Sequence, residues 1–120
     1  MARILLADDD AATRDLVRRA LEGDGHTVTV TEDGAEALES LQANAAHFDL
    51  VVTDVEMPAI DGILLAEEAL KLRPGLRIVL MSGYAEALQR ASVFKAAKLG
   101  TITKPFTLDQ IRAMVRSTLS

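Results

Sequence analysis

Short apolar runs alternate along the chain with segments in which apolar positions return every three or four residues. The runs RILLA (3–7), HTVTVT (26–31), FDLVVT (48–53), LRIVLM (76–81) and GTIT (100–103) have strand length and are rich in branched residues, which predicts five strands. Helical spacing fills the gaps between them. Asp10 stands as N-cap before Thr13, Leu16, Val17, Ala20 and Leu21, and that pattern stops at Gly23 and Gly25. Asp33 with Glu36 and Thr107 with Gln110 read as capping boxes, the first ahead of Ala37, Leu38 and Leu41, the second ahead of Ile111, Val115 and Leu119. A third helix after Gly62 carries Leu65, Ala66, Ala69 and Leu72 inward and is closed by Pro74 and Gly75. The fourth, within 84–98, is the weakest: Leu88, Ala91, Val93, Phe94 and Ala97 do not settle on one face, so a short, mobile or irregular element is expected.

Strands that alternate with helices across short connections require right-handed crossovers, hence a parallel sheet with helices on both faces. The expected class is α/β, doubly wound. Composition agrees: 49% of residues are apolar but only 3% aromatic, so the core is built from Leu, Val, Ile, Ala and Met. The net charge of -5 and the lack of a basic block disfavour nucleic acid as a partner. The chain has no cysteine, so neither a disulfide framework nor a thiolate metal site is available. The start MARILLADDD is too short an apolar run for a signal peptide or membrane span, and the reading is a soluble, unprocessed, cytoplasmic protein.

In a doubly wound sheet, ligands bind outside the carboxyl ends of the strands. That edge is where the polar residues fall. The first strand runs into Asp8, Asp9 and Asp10, the third into Asp54, the fourth into Ser82 and the fifth into Lys104. Adjacent strands lie roughly 5 Å apart, so these side chains can share one pocket. Each residue also has a plain role: an acid after a strand is the usual N-cap of the next helix, which accounts for Asp10; Ser82 before Gly83 suits a turn; Lys104 suits a solvated surface. Asp54 has no helix directly after it. Clustered carboxylates are costly to hold ionised unless a cation sits among them, and an all-oxygen set with few carboxylates suits Mg²⁺. A carboxylate beside such an ion can attack phosphorus, with the metal and an ammonium neutralising charge on the transferred group.

The segments ILLADDD, LVVTDVEMPAIDG, VLMSG and TKPF, in this order and spacing, resemble the signature of the receiver domains of two-component response regulators, and the resemblance covers essentially the whole chain. It implies one CheY-like (flavodoxin-like) domain over residues 1–120 with strand order 2-1-3-4-5. It further implies that Asp54 is the phosphoacceptor. Asp9 and Asp54 would bind Mg²⁺ directly, with the backbone carbonyl of Glu56 as the remaining protein ligand and Asp8 acting largely through water. Ser82 would bond a phosphoryl oxygen, Lys104 would pair with the phosphoryl charge, the Lys104–Pro105 bond would be cis, and Pro58, Asp61 and Gly62 would shape the adjoining loop. The donor would be a histidine kinase or histidine phosphotransfer protein. Output would run through a protein partner on the face of the fourth helix, fifth strand and last helix, since no output domain is expected after Ser120.

The sequence departs from that pattern in two places. Many receivers carry an aromatic residue three positions before the motif lysine, where this chain has Thr101, and the segment GYAEALQRASVFKAAKLG replaces an Ala- and Gly-rich fourth helix. Tyr84 offers a replacement mobile aromatic, with packing against the sheet edge as its other reading. The SGYAE segment resembles stand-alone receivers of the CpdR type, adaptors to the protease ClpXP, and also receivers fused to hybrid histidine kinases. Two further readings compete: a constitutive interaction module with a vestigial acidic site, and a phosphohydrolase with an aspartate nucleophile. The second expects another aspartate two residues after the nucleophile and a cap domain, where this chain has Glu56. Glu56 reads as needed for its carbonyl more than its carboxylate. His26 and His47 have no partner at metal spacing and read as turn or surface residues.

Overall fold

The computed structural model describes residues 1–91 and 98–120. Five strands, β1 (Arg3–Ala7), β2 (Thr27–Thr31), β3 (Leu50–Asp54), β4 (Arg77–Ser82) and β5 (Leu99–Thr103), form one parallel sheet in the order β2-β1-β3-β4-β5. Helices α1 (Ala11–Gly23), α2 (Gly34–Asn44), α3 (Gly62–Leu72), α4 (Ala85–Arg90) and α5 (Leu108–Leu119) lie between and after them. The doubly wound α/β class and the strand order are as expected.

Period-two alternation divides each strand between two cores. Ile4 and Leu6 of β1, with Leu50 and Val52 of β3, pack under Val17, Ala20 and Leu21 of α1 and Ile111 and Val115 of α5. Leu5, Ala7 and Val51 point the other way, toward Ala37 and Leu41 of α2 and Leu65, Ala66 and Ala69 of α3. β3 is buried along its whole length, which suits a central parallel strand covered on both faces. Each such Leu or Ile contributes about 1.5–3 kcal/mol relative to exposure.

The helix starts follow from their caps. The side chains of Asp10, Asp33 and Asp61 accept the backbone N–H of Thr13, Glu36 and Leu64. Thr107 and Gln110 form a complete reciprocal box at α5. Thr107→Ala is therefore expected to cost about 1 kcal/mol, read as a lowered urea midpoint with an unchanged m-value.

Two expectations are corrected. Leu72 follows the inward stripe by spacing but is 45% exposed, because it is the last residue of α3, where the helix leaves the layer it packs on. Tyr84 does not pack against the sheet edge: its side chain is 64% exposed, and its backbone serves as N-cap position of α4. α4 is short, with Ala87 and Ala91 buried and Leu88 packed against the α2/α3 core; Val93, Phe94 and Ala97 lie outside the described residues.

Candidate functional site

The carboxyl ends of β1, β3, β4 and β5 meet at one edge, and backbone hydrogen bonds carry their order past the last ladder pairs. Asp8 N–H donates to the Thr31 carbonyl (3.4 Å), Val55 N–H to Met81 (2.9 Å) and Lys104 N–H to Ser82 (2.8 Å). Residues 8, 54, 82 and 104 are thereby held as parts of the sheet. The Lys104–Pro105 peptide is cis, as expected.

Asp8 is fully buried. One of its carboxylate oxygens accepts the Asp10 N–H at 2.9 Å, and the other lies 3.3 Å from Lys104 Nζ. Asp54 is 4% exposed, with Oδ1 3.1 Å from Lys104 Nζ. That approach is an ion-pair contact, and among the described residues no well-aligned hydrogen bond reaches the buried Asp54 Oδ1. Asp9 is exposed at the mouth, and one ligand atom each from Asp8, Asp9 and Asp54 lies within 4.8 Å of the others. An orphaned carboxylate oxygen beside two further carboxylates is a donor set that fits a hard divalent cation.

Electrostatics carry the mark of this crowding. Burial, then the Asp8 charge, pushes the Asp54 carboxyl up to about 6 against the pull of Lys104. Burial likewise raises Asp8, opposed by the Asp10 N–H and by Lys104. For Lys104 burial acts downward, but Asp8 and Asp54 together outweigh it, so its pKa is raised and the ammonium is retained.

Ser82 is fully buried at the end of β4. Its Oγ lies 2.8 and 2.9 Å from the two carboxylate oxygens of Glu56 and accepts the Tyr84 N–H at 3.0 Å. The resemblance favours the Glu56 carbonyl over its carboxylate, but in the structure the carboxylate is bonded as well. A second contact that spacing did not reveal is Arg14, whose guanidinium donates to the Asp8 carbonyl at 2.7 Å and ties the first turn of α1 to the β1 end. Neither partner has a sequence signature, since each is set by how separate elements meet in space.

The loop after Asp54 is tightly drawn. Gly62 N–H donates to the Val55 carbonyl at 2.9 Å, Ile60 N–H to Pro58 at 2.8 Å, and Ala59 sits at φ 65°, a left-handed conformation unusual for a residue with a Cβ. Gly34, at the start of α2, lies so close to this loop that a Cβ there would stand 2.2 Å from the Ile60 carbonyl oxygen.

The remaining candidates lie elsewhere. His26 accepts the Ala2 N–H through Nδ1, beside the start of β2, and His47 is exposed in a short 3-10 turn (Ala45–His47). Thr101 is exposed on β5 and lines, with Thr103, Gln110 and Met114, an open groove of about 480 Å³ between β5 and α5.

These features define a CheY-like α/β domain with a cation-ready acidic pocket at the carboxyl edge of its sheet. The sequence pattern of the response regulator receiver domain matches residues 4–116, and the chain belongs to that family. It is 39% identical over 111 residues to the response regulator receiver protein CpdR of Brucella abortus, covering 92% of this chain and 91% of that protein. It is 38% identical over 118 residues to the sensor kinase CckA of the same organism, where it spans 98% of this chain but 12% of the kinase. The match to the transcriptional regulator NtrC of Escherichia coli likewise spans 24% of that protein, at 31% identity. Among solved structures, a response regulator receiver protein from Sinorhizobium medicae superposes with a TM-score of 0.86 at 37% identity, covering 98% of this chain and 94% of that one. The chemotaxis regulator CheY4 of Vibrio cholerae gives 0.87 at 27%, covering 99% of each chain. Receiver domains are phosphoryl-accepting signalling modules of two-component systems, not enzymes in their own right; they interact with histidine kinases and downstream partners and generally bind Mg²⁺ in an acidic pocket. No helix among the described residues is long and apolar enough to cross a membrane.

Proposed function

We propose that the chain, as a single receiver domain over residues 1–120, takes a phosphoryl group on Asp54 from the phosphohistidine of a histidine kinase or phosphotransfer protein. The observation that carries this reading is the buried Asp54 carboxylate, its Oδ1 3.1 Å from the Lys104 ammonium and set with Asp8 and Asp9 at the meeting of four strand ends. An Asp54 oxygen forms the new bond to phosphorus as the phosphorus–nitrogen bond breaks. The electron pair leaves with the imidazole nitrogen, and because the donor ring carries a proton on its other nitrogen, the leaving group is a neutral histidine. Lys104, already 3.1 Å from Asp54, supplies a fixed positive charge for the phosphoryl oxygens, and the Ser82 hydroxyl supplies a hydrogen bond. Asp8, Asp9, Asp54 and the Glu56 carbonyl would hold Mg²⁺, which adds charge neutralisation at the transferred group.

Similarity to CpdR over nearly the full length of both chains supports a finer reading, in which a phosphorylation-dependent protein contact is the output. The resemblance to CpdR-type receivers extends that reading to adaptor duty toward a protease such as ClpXP, in the cytoplasm. The contact face would be α4, β5 and α5, where Thr101 leaves the groove beside Met114 open.

The direct test is incubation with a small acyl phosphate, with and without Mg²⁺, followed by intact mass and peptide mapping. The expected result is one Mg²⁺-dependent phosphoryl group on the peptide bearing Asp54. A label on any other peptide, or none, rejects the assignment.

A further inference from the structure

Ser82 has a single hydroxyl proton, and in this structure it is already committed. The hydroxyl lies within hydrogen-bond reach of both Glu56 oxygens, at 2.8 and 2.9 Å, and its oxygen accepts the Tyr84 N–H at 3.0 Å. Ser82 is fully buried, so no solvent proton can substitute for its own. Glu56 differs: it is exposed, and its carboxylate can return to water at small cost. The two sit on neighbouring strand ends, since Asp54 is paired with Met81 and the Val55 N–H bonds the Met81 carbonyl at 2.9 Å. A phosphoryl group on Asp54 would therefore arrive beside a hydroxyl whose proton is held by another anion.

We infer that the Glu56 carboxylate is a resident anion that occupies the Ser82 hydroxyl until a phosphoryl group displaces it. The inference rests on the phosphoacceptor reading of Asp54 and gives the Glu56 side chain a task of its own. A phosphoryl group carries about -1.5 to -2 charges, so it both competes for the proton and repels Glu56. The Ser82 hydrogen bond turns from Glu56 to a phosphoryl oxygen, and the Glu56 side chain swings into solvent. No covalent bond changes in this exchange; one hydrogen bond replaces another. The exchange is felt at once by Tyr84, whose N–H is bonded to the same Oγ and which stands directly before α4. It thus delivers a signal to the start of α4 in a chain where Thr101 offers no aromatic ring to report it. Glu56 is a positioning residue here, acting on the phosphoryl group through Ser82.

The test uses beryllofluoride with Mg²⁺ as a non-hydrolysing phosphoryl mimic, with the whole chain in a double-mutant cycle. Glu56→Ala is expected to tighten beryllofluoride binding about tenfold, because the competitor for the Ser82 proton is gone. In the Ser82→Ala background the same substitution is expected to tighten it only about two-fold, the share due to removing a nearby charge. Equal effects of Glu56→Ala in both backgrounds would overturn the inference while leaving the phosphoacceptor reading intact. Failure of the wild type to bind beryllofluoride would overturn both. The Tyr84 amide resonance gives a second readout that needs only the exposed substitution. It should move in ligand-free Glu56→Ala, and in the same direction when the wild type binds beryllofluoride; a Tyr84 signal unmoved by either would also overturn the inference.

Discussion

Asp54→Asn is expected to abolish phosphoryl uptake and, in the absence of Mg²⁺, to make the fold more stable at neutral pH. The two effects have one cause. The Asp54 carboxyl ionises near 3.8 in an unfolded chain and near 6 in the folded one, chiefly because burial disfavours its charged form. Between those values the folded protein binds more protons than the unfolded one, so stability falls as pH rises through that window. Above it the folded protein carries the full cost, roughly 3 kcal/mol for a displacement from 3.8 to about 6. Asparagine has nearly the same shape and no charge, and Lys104 keeps its pairing with Asp8 at 3.3 Å. Urea unfolding without Mg²⁺ should therefore show the variant ahead of wild type at pH 7.5, with the gap closing toward pH 4.5. A shallower slope of the same sign should remain, because Asp8 is raised by burial as well. An Asp54→Asn protein less stable than wild type at pH 7.5 would contradict this account. Added Mg²⁺ should stabilise wild type more than the variant, since the proposed site uses the carboxylate that the variant lacks.

Gly62→Ala is expected to damage both the fold and the site. A Cβ at residue 62 would stand 2.1 Å from the Asp54 carbonyl oxygen and 2.9 Å from both the Asp54 carbonyl carbon and the Val55 Cα. All three are backbone atoms at the end of the central strand, so no side chain can rotate out of the way. Either β3 gives at its end or α3 moves off, breaking the Gly62 N–H bond to Val55 and the Asp61 cap on Leu64. Overpacking of this kind costs about 3 kcal/mol, a large share of the 5–15 kcal/mol typical of a domain, and should lower Tm by roughly 10 °C. Labelling by an acyl phosphate should drop even at temperatures where the variant is folded, because the displaced peptide is that of Asp54 itself. Gly75→Ala is the matched control: among the described residues nothing lies within 4 Å of a Cβ there, and its melting curve should stay close to wild type.

Much of the architecture was readable along the chain. The branched runs marked the strands to within two residues, and Asp10 and Thr107 marked helix starts that the structure bears out through side-chain caps. Such signals are local: period-two burial, period-3.6 burial and capping each depend on residues within one turn or one strand. Leu72 shows the limit of that information, because helical spacing places it on the inner stripe but cannot say that the layer beneath ends one turn earlier. Tyr84 shows another, since an aromatic beside a glycine can fold inward or outward, and only the course of β4 into α4 decides.

The same division runs through the site. Asp8, Asp9, Asp54, Ser82 and Lys104 could be placed at the carboxyl edge from sequence, because a strand that ends on a polar residue must present it there once the sheet is parallel. Which polar atom meets which is a different matter. Ser82 is bonded to a residue 26 positions away, and Lys104 to one 96 positions away. Those pairings follow from the order β2-β1-β3-β4-β5 and the register that sets Asp54 opposite Met81. The sequence by itself determined the class of fold and the chemistry gathered at one edge, through local periodicities and strand-end residues. Only the tertiary structure, by bringing crossover-linked strand ends side by side, decided that the buried Asp54 Oδ1 faces the Lys104 ammonium and that the Ser82 proton is held by Glu56.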